Sequence, residues 1–321
     1  MQVFDVFNGD ADGICALVQL RLAQPLDSVL ITGVKRDIEL VQQVPLNKAV
    51  QVNVLDISLD KNRAAVDVLL AAGSQLFYVD HHFPGKSLPE HPAFQALIDT
   101  QPTTCASLLI DQHLGGRFHH WAITAAFGDN LDAVAQQLAQ QAGLTQEQTA
   151  SLRELGICIN YNGYGASLDD LHFHPAELYK QLVQYPDPLD FIAASGMTYC
   201  KLREGYQTDL KLGLAAQAIS DTAHSLVVSL PDTAWARRVS GVLGNELANA
   251  NPERACAIVT QRPDNTWLAS IRAPLNNRTG ADALAMRFPT GGGRKAAAGI
   301  NALPAEQLDE FVQLMATFWS K

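Results

Sequence analysis

The tripeptide Asp80-His81-His82 closes an apolar stretch over residues 75–79, and further acids stand at similar strand ends. Asp10 and Asp12 lie in Asn8-Gly-Asp-Ala-Asp-Gly13, Asp56 follows residues 50–55, and Asp129 lies in Ala126-Phe-Gly-Asp-Asn130. Carboxylates with imidazole suit a hard divalent cation, Mn or Mg; zinc favours Cys and His, which are not grouped here. Any one of these acids taken alone reads better as a helix cap or turn former. Several on separate loops reverse that judgement. Ions held in such a cluster deprotonate a water and neutralise the phosphoryl oxygens during in-line attack, the chemistry that cleaves phosphate esters.

The elements around these residues alternate. Residues 2–7 form a short apolar strand, 8–13 a turn and 14–22 a helix with a buried face. Strands follow at 28–32, 50–55 and 75–79, separated by helices at 37–41 and 61–72, the second ended by Gly73. Such alternation predicts an α/β fold, a parallel sheet with helices on both faces. The ligand crevice of such a sheet lies beyond the carboxyl ends of its strands, where Asp10, Asp12, Asp56, Asp80 and His81 fall.

From about 131 to 220 the pattern turns helical, with a capping-box start at Thr145-Gln-Glu-Gln148 and Leu152, Leu155 and Ile159 at helical spacing. Beyond it, residues 254–260 and 266–272 read as paired strands around the turn Arg262-Pro-Asp-Asn265. A helix opened by Pro304 ends the chain, with Leu308, Phe311, Val312, Met315, Phe318 and Trp319 on one face.

A length of 321 residues allows two ordinary domains, and 47% hydrophobic with 17% charged residues is enough to fill real cores. No apolar run reaches the ~18 residues of a membrane span, and no basic segment precedes an apolar one at the N-terminus, so the expected compartment is the cytoplasm. Five scattered cysteines without a C-x-x-C pair indicate neither a disulfide frame nor a zinc knuckle. A formal charge of −10 opposes binding to long duplexes. A short anionic ligand held by local cations fits better, and Arg272, Arg278, Arg294 and Lys295 lie among glycines and alanines in the C-terminal third.

The acidic segments resemble the DHH phosphoesterase family. The likeness continues at the C-terminus, where Ser270-Ile-Arg272 and Gly291-Gly-Gly-Arg-Lys-Ala-Ala-Ala-Gly299 are similar to the substrate-binding motifs of the DHH-associated domain of RecJ-like and nanoRNase-like members. The resemblance implies a catalytic metal-binding domain over residues 1–135, a helical linker region over 136–220 and a smaller α/β substrate-binding domain over 221–321, the two domains gripping substrate across a cleft. It implies two ions, Mn or Mg: one held by Asp10 and Asp56, the other by Asp12, Asp56, His81 and Asp129, with Asp56 bridging. Asp80 would orient a neighbouring histidine and His82 would face the substrate. Ser270, Arg272, Gly291, Gly292, Gly293 and Arg294 are the substrate-binding candidates.

Two positions depart from the family pattern. Asn8 stands where members commonly carry His, so the first ion would gain only a weaker, harder amide oxygen. Arg294 replaces a His after the three glycines; its guanidinium still binds an anion but cannot shuttle a proton. The glycine run leads into residues 296–299, read as a small-residue helix start that lets backbone approach an anion.

The remaining conspicuous histidines, His91, His113, His119, His120, His172 and His174, lack acidic partners at ligand spacing and read as surface or structural residues. Asn160-Tyr-Asn-Gly-Tyr-Gly165 reads as a loop between helices that could stack a base, and residues 103–107 as a helix cap. The expected activity is metal-dependent hydrolysis of short single-stranded oligonucleotides or dinucleotides, in the manner of an exonuclease or nanoRNase, to nucleoside monophosphates. An adenosine bisphosphate phosphatase, a cyclic dinucleotide phosphodiesterase, a polyphosphatase and a non-catalytic nucleotide-binding regulator are the alternatives; a homodimer stays open.

Overall fold

The computed structural model describes residues 1–194, 196–262 and 264–320. The chain divides into two compact units, Met1–Glu204 and Gly205–Lys321. The first opens with β1 (Val3–Phe7), α1 (Ala11–Ala23), β2 (Val29–Ile31), β3 (Gln51–Leu55), α2 (Leu59–Ala71), β4 (Gln75–Asp80) and β5 (Phe94–Ile98). The helices α3 (Ala106–His113), α4 (His119–Gly128), α5 (Asp132–Gln141), α6 (Gln146–Asn162), α7 (Pro175–Leu182) and α8 (Pro188–Ala193) follow, and α9 (Met197–Leu214) contains the division between the two units.

The sheet order is β2-β1-β3-β4-β5 and every pairing is parallel. One face, with Phe4, Val6, Val52, Val54 and Tyr78, packs on Val66, Leu69 and Leu70 of α2. Phe7, Leu55, Ile14 and Leu17 are also fully buried, and α1 lies against β1 and β3. Burial on both faces explains why the strands are mostly apolar, with the polar residues Asp5 and Asn53 themselves buried. As expected, α2 ends at Gly73, which adopts φ 83°, and α6 opens on the Thr145–Gln148 capping box.

The helix expected over residues 37–41 is absent; only a 3₁₀ turn, Leu40–Gln43, forms nearby. Its polar groups are satisfied otherwise. Asp37 Oδ2 accepts from Val34 N (3.0 Å), while Asn62 of α2 accepts from Val41 N (3.1 Å) and donates to the Ile38 carbonyl (2.6 Å).

The second unit carries β6 (Ala218–Asp221), β7 (Ser225–Leu230), α10 (Ala234–Ala250), β8 (Ala255–Gln261), β9 (Thr266–Arg272), α11 (Ala281–Ala285), β10 (Gly291–Gly293), β11 (Ala297–Pro304) and α12 (Leu308–Phe318). Its sheet runs β10-β11-β9-β8-β7-β6, antiparallel except for the parallel pair β7–β8. The expected strand pair is β8–β9; in its connecting turn, Pro263 lies outside the described residues. Phe311 and Met315 of α12 are buried against the sheet, with Leu308, Val312, Phe318 and Trp319 packed around them.

Residues 296–299 are not a helix start. Ala297–Pro304 is a strand, and the three glycines form β10 beside it, with Gly292 opposite Gly299. Side chains at two of these glycines would collide with backbone. A Cβ at Gly291 would stand 1.7 Å from the Ala285 carbonyl oxygen, and one at Gly293, whose φ is 144°, 2.5 Å from Ala298 Cα. Among the described residues no helix is long and apolar enough to cross a membrane.

Candidate metal centre

The carboxyl ends of β1, β3 and β4 deliver the acids to one place. Asp10 caps α1, its Oδ1 accepting from the amides of Asp12 (3.0 Å) and Gly13 (3.1 Å). Gly13 has to be glycine, because a Cβ there would lie 2.3 Å from the Asn8 carbonyl oxygen. Asp12 Oδ2 and Oδ1 accept from the amides of Ala106 and Ser107, each at 2.7 Å, so the N-terminus of α3 is capped by Asp12 rather than by a side chain of residues 103–107, Cys105 at the N-cap making no such bond. Asp56 follows β3 with φ 57°, a left-handed conformation that is costly outside glycine. Asp129 is the C-cap of α4.

His81 ties these acids together. Its Nδ1 lies 3.1 Å from the Thr104 carbonyl oxygen. A carbonyl only accepts, so Nδ1 donates there and Nε2 is the ring nitrogen turned toward the carboxylates. That Nε2 lies 3.4 Å from Asp56 Oδ1, 3.9 Å from Asp12 Oδ2 and 4.0 Å from Asp129 Oδ2. His82 Nδ1 is 2.7 Å from Asp80 Oδ1, which also accepts from the His81 amide at 2.8 Å. Asp80 is fully buried, while the His82 side chain is 35% exposed.

The donor set fits a hard divalent cation. Asp56 Oδ1 is buried without a hydrogen-bond partner among the described residues, and donor atoms of Asp56, His81 and His82 lie within 4.8 Å of one another. Burial, and then the neighbouring Asp10 and Asp12, push the Asp56 carboxyl well above its ordinary range. Burial also raises Asp12; His81 opposes that, and Asp129 and Asp10 reinforce it. Burial works against charge on His82, but the Asp80 hydrogen bond and Asp56 outweigh it and hold the imidazole above its ordinary value.

Sequence reasoning missed Lys35. Its Nζ lies 2.6 Å from Asp10 Oδ2, 3.0 Å from Asn160 Oδ1 and 3.8 Å from Asp129 Oδ1, and 5.4 Å from the centre of the Tyr164 ring. Burial disfavours the ammonium, but Asp10, then Tyr164 and Asp129, raise it well above its usual value. Burial likewise pushes Asp10 upward, yet Lys35 and the Gly13 amide hold it below the usual carboxylate range. The only signal was position: residue 35 follows β2 at the same sheet edge. Residues 160–162, expected in a loop, are instead the last turn of α6, which brings Asn160 beside the cluster; only the residues after Asn162 leave the helix. Asn8 is spent on backbone, its Oδ1 accepting from Asp10 N (3.2 Å) and its Nδ2 donating to the Lys35 carbonyl (3.3 Å).

In the second unit Ser270 and Arg272 alternate on β9, and Arg272 Nε donates to Asn245 Oδ1 of α10 (2.8 Å). Arg294 is exposed in the turn between β10 and β11, and its guanidinium meets no acid among the described residues. The other histidines have structural partners that spacing hid. His119 pairs with Asp111 (2.6 Å), His120 with Asp187 (2.7 Å) and His172 with the Tyr161 hydroxyl (2.8 Å), while His174 caps α7.

No protein-family model and no curated protein matches the sequence. Solved structures do. An exonuclease RecJ bound to manganese superposes with a TM-score of 0.62 at 18% identity, over 100% of this chain and 90% of its own. RecJ of Thermus thermophilus in complex with Mn²⁺ gives 0.64 at 17% identity, over 99% of this chain and 52% of that one. The pGpG-specific phosphodiesterase PggH from Vibrio cholerae gives 0.59 at 14% identity, over 99% of both chains. The fold is that of the DHH phosphoesterases, as the motifs implied.

Proposed function

We propose that this chain is a divalent-metal-dependent phosphodiesterase that cleaves short oligonucleotides, linear dinucleotides above all, to nucleoside monophosphates. The observation that carries the reading is His81 Nε2 facing carboxylate oxygens of Asp56, Asp12 and Asp129 at 3.4–4.0 Å, at the strand ends of a DHH fold. Those residues would hold the ion, with Mn preferred over Mg. When bound, it supplies charge neutralisation at the phosphoryl oxygens and lowers the pKa of a water.

The remaining roles belong to side chains. Asp80 fixes His82 with Nδ1 protonated and favours its cation, leaving Nε2–H to donate to a phosphoryl oxygen. Lys35 neutralises Asp10, so the acids do not repel an anionic substrate with their full charge. Arg272, Ser270 and Arg294 hold the substrate's terminal phosphate, with the Gly291–Gly293 strand admitting close backbone approach. The net charge of −10 disfavours long duplexes, and the dinucleotide substrate of PggH on a similar fold supports a short one.

The test is mass analysis of products from pGpG and from longer single strands, with Mn or Mg. Mononucleotides, formed fastest from the dinucleotide, are expected. Orthophosphate alone would move the chain to the phosphatases, and tight binding without product would make it a regulator.

A further inference from the structure

One side of the acidic cluster already holds a cation. The Lys35 ammonium touches Asp10 Oδ2 and Asn160 Oδ1 at 2.6 and 3.0 Å and faces Asp129 Oδ1 at 3.8 Å, oxygens of the kind a second hard ion would need. The loop that carries it is fixed from several sides. Lys35 N donates to the Gly163 carbonyl (2.8 Å), and Asn8 Nδ2 holds the Lys35 carbonyl. Gly9 and Gly33 allow the close approach: a Cβ on Gly9 would stand 2.0 Å from the Gly33 carbonyl oxygen, and one on Gly33 2.2 Å from Asp37 Oδ2. At residue 8, an amide whose two polar atoms are committed to backbone stands where an imidazole could have offered a free nitrogen. The His81 side differs, because Asp56 Oδ1 there has no hydrogen-bond partner among the described residues.

We propose that the centre takes a single divalent ion, on the His81 side, and that the Lys35 ammonium occupies the place of a second ion beside Asp10. The inference rests on the phosphoesterase reading of the same cluster. An ammonium supplies charge and hydrogen-bond donors but cannot act as a Lewis acid, so the chain keeps electrostatic stabilisation on that side and gives up ion chemistry there. A second divalent ion beside Asp10 would stand in contact range of this ammonium, and their repulsion opposes double loading.

The experiment counts Mn²⁺ on the full chain by equilibrium dialysis with metal analysis, and reads electron paramagnetic resonance for magnetic coupling between ions. The wild type is expected to saturate at one ion per chain with an uncoupled Mn spectrum. Lys35→Ala combined with Asn8→His, with folding checked by thermal unfolding, should double the metal content and give an exchange-coupled signal. Two coupled ions in the wild type overturn the proposal while leaving the phosphoesterase reading intact, and that count needs no variant to fold. A folded double variant that still binds one ion also overturns it. A wild type that binds no ion sinks the metal-centre reading as well.

Discussion

Asp5 and Asp56 are both carboxylates at 2% exposure or less, one within β1 and the other just after β3, yet their surroundings are opposite. Asp5 accepts from Arg21 Nε (2.7 Å), Asn53 Nδ2 (2.7 Å) and Ser28 Oγ (2.5 Å). Asp56 leaves Oδ1 without a hydrogen-bond partner among the described residues, sits in a left-handed backbone conformation and faces Asp10 and Asp12. A buried charge that is fully paired belongs to the scaffold. One left underpaired among like charges is held for a ligand, because the fold carries its cost without return. Nothing in the local sequence separates the two.

The largest difference should appear in Asp56→Asn. Hydrolysis is expected to fall beyond about 1,000-fold, roughly 4 kcal/mol of transition-state stabilisation, because the cation loses its central carboxylate. The metal-free protein should become more stable, since the change removes a repelled charge and Asn tolerates positive φ better than most residues. Loss of activity together with a lowered metal-free unfolding midpoint would contradict the assignment.

Arg21→Leu should do the reverse, costing about 3–5 kcal/mol in urea unfolding because Asp5 is left buried beside neutral partners only. The double variant Asp5→Leu/Arg21→Leu should recover most of that loss. Mn²⁺ binding to the folded fraction should not change in either. A smaller effect comes from adding Mn²⁺ to the wild type. At a hundredfold excess over Kd it should stabilise by about 2.7 kcal/mol, and Asp56→Asn should lose most of this gain.

The scaffold was more legible than the site's charge balance. Mostly apolar runs, broken by Asp5 in β1 and Asn53 in β3, marked β1, β3 and β4, and the acids following them marked the sheet edge, since a parallel sheet puts strand ends on one side. Lys35 was not legible. A lone lysine in a turn reads as solvated charge, and its partners Asp10 and Asn160 lie 25 and 125 residues away. The partners of His119 and His120 were hidden likewise, by helix packing in α3–α4 and by a separation of 67 residues to Asp187. Residues 296–299 misled because alanines and glycine carry no hydrophobic period, and edge pairing with β10 decides their conformation.

The smallest expected effect lies at His119, a paired charge like Asp5 but at the surface. Its Nδ1 is 2.6 Å from Asp111 Oδ2, and its side chain is 27% exposed. The Asp111 hydrogen bond, against a smaller opposing contribution from burial, raises the imidazole above its ordinary value of 6.5. A base whose folded pKa is raised contributes stability that is complete below the unfolded pKa and disappears as pH rises through the folded one. The pair should therefore add about 0.5–1 kcal/mol at pH 5.5 and little at pH 8.5. Urea unfolding of His119→Gln against the wild type at both pH values isolates it, because other titrating groups cancel in the difference. The gap between the two proteins should shrink on the alkaline side; an equal gap at both values would mean that the imidazole charge adds nothing and that Asp111 is served as well by a neutral donor.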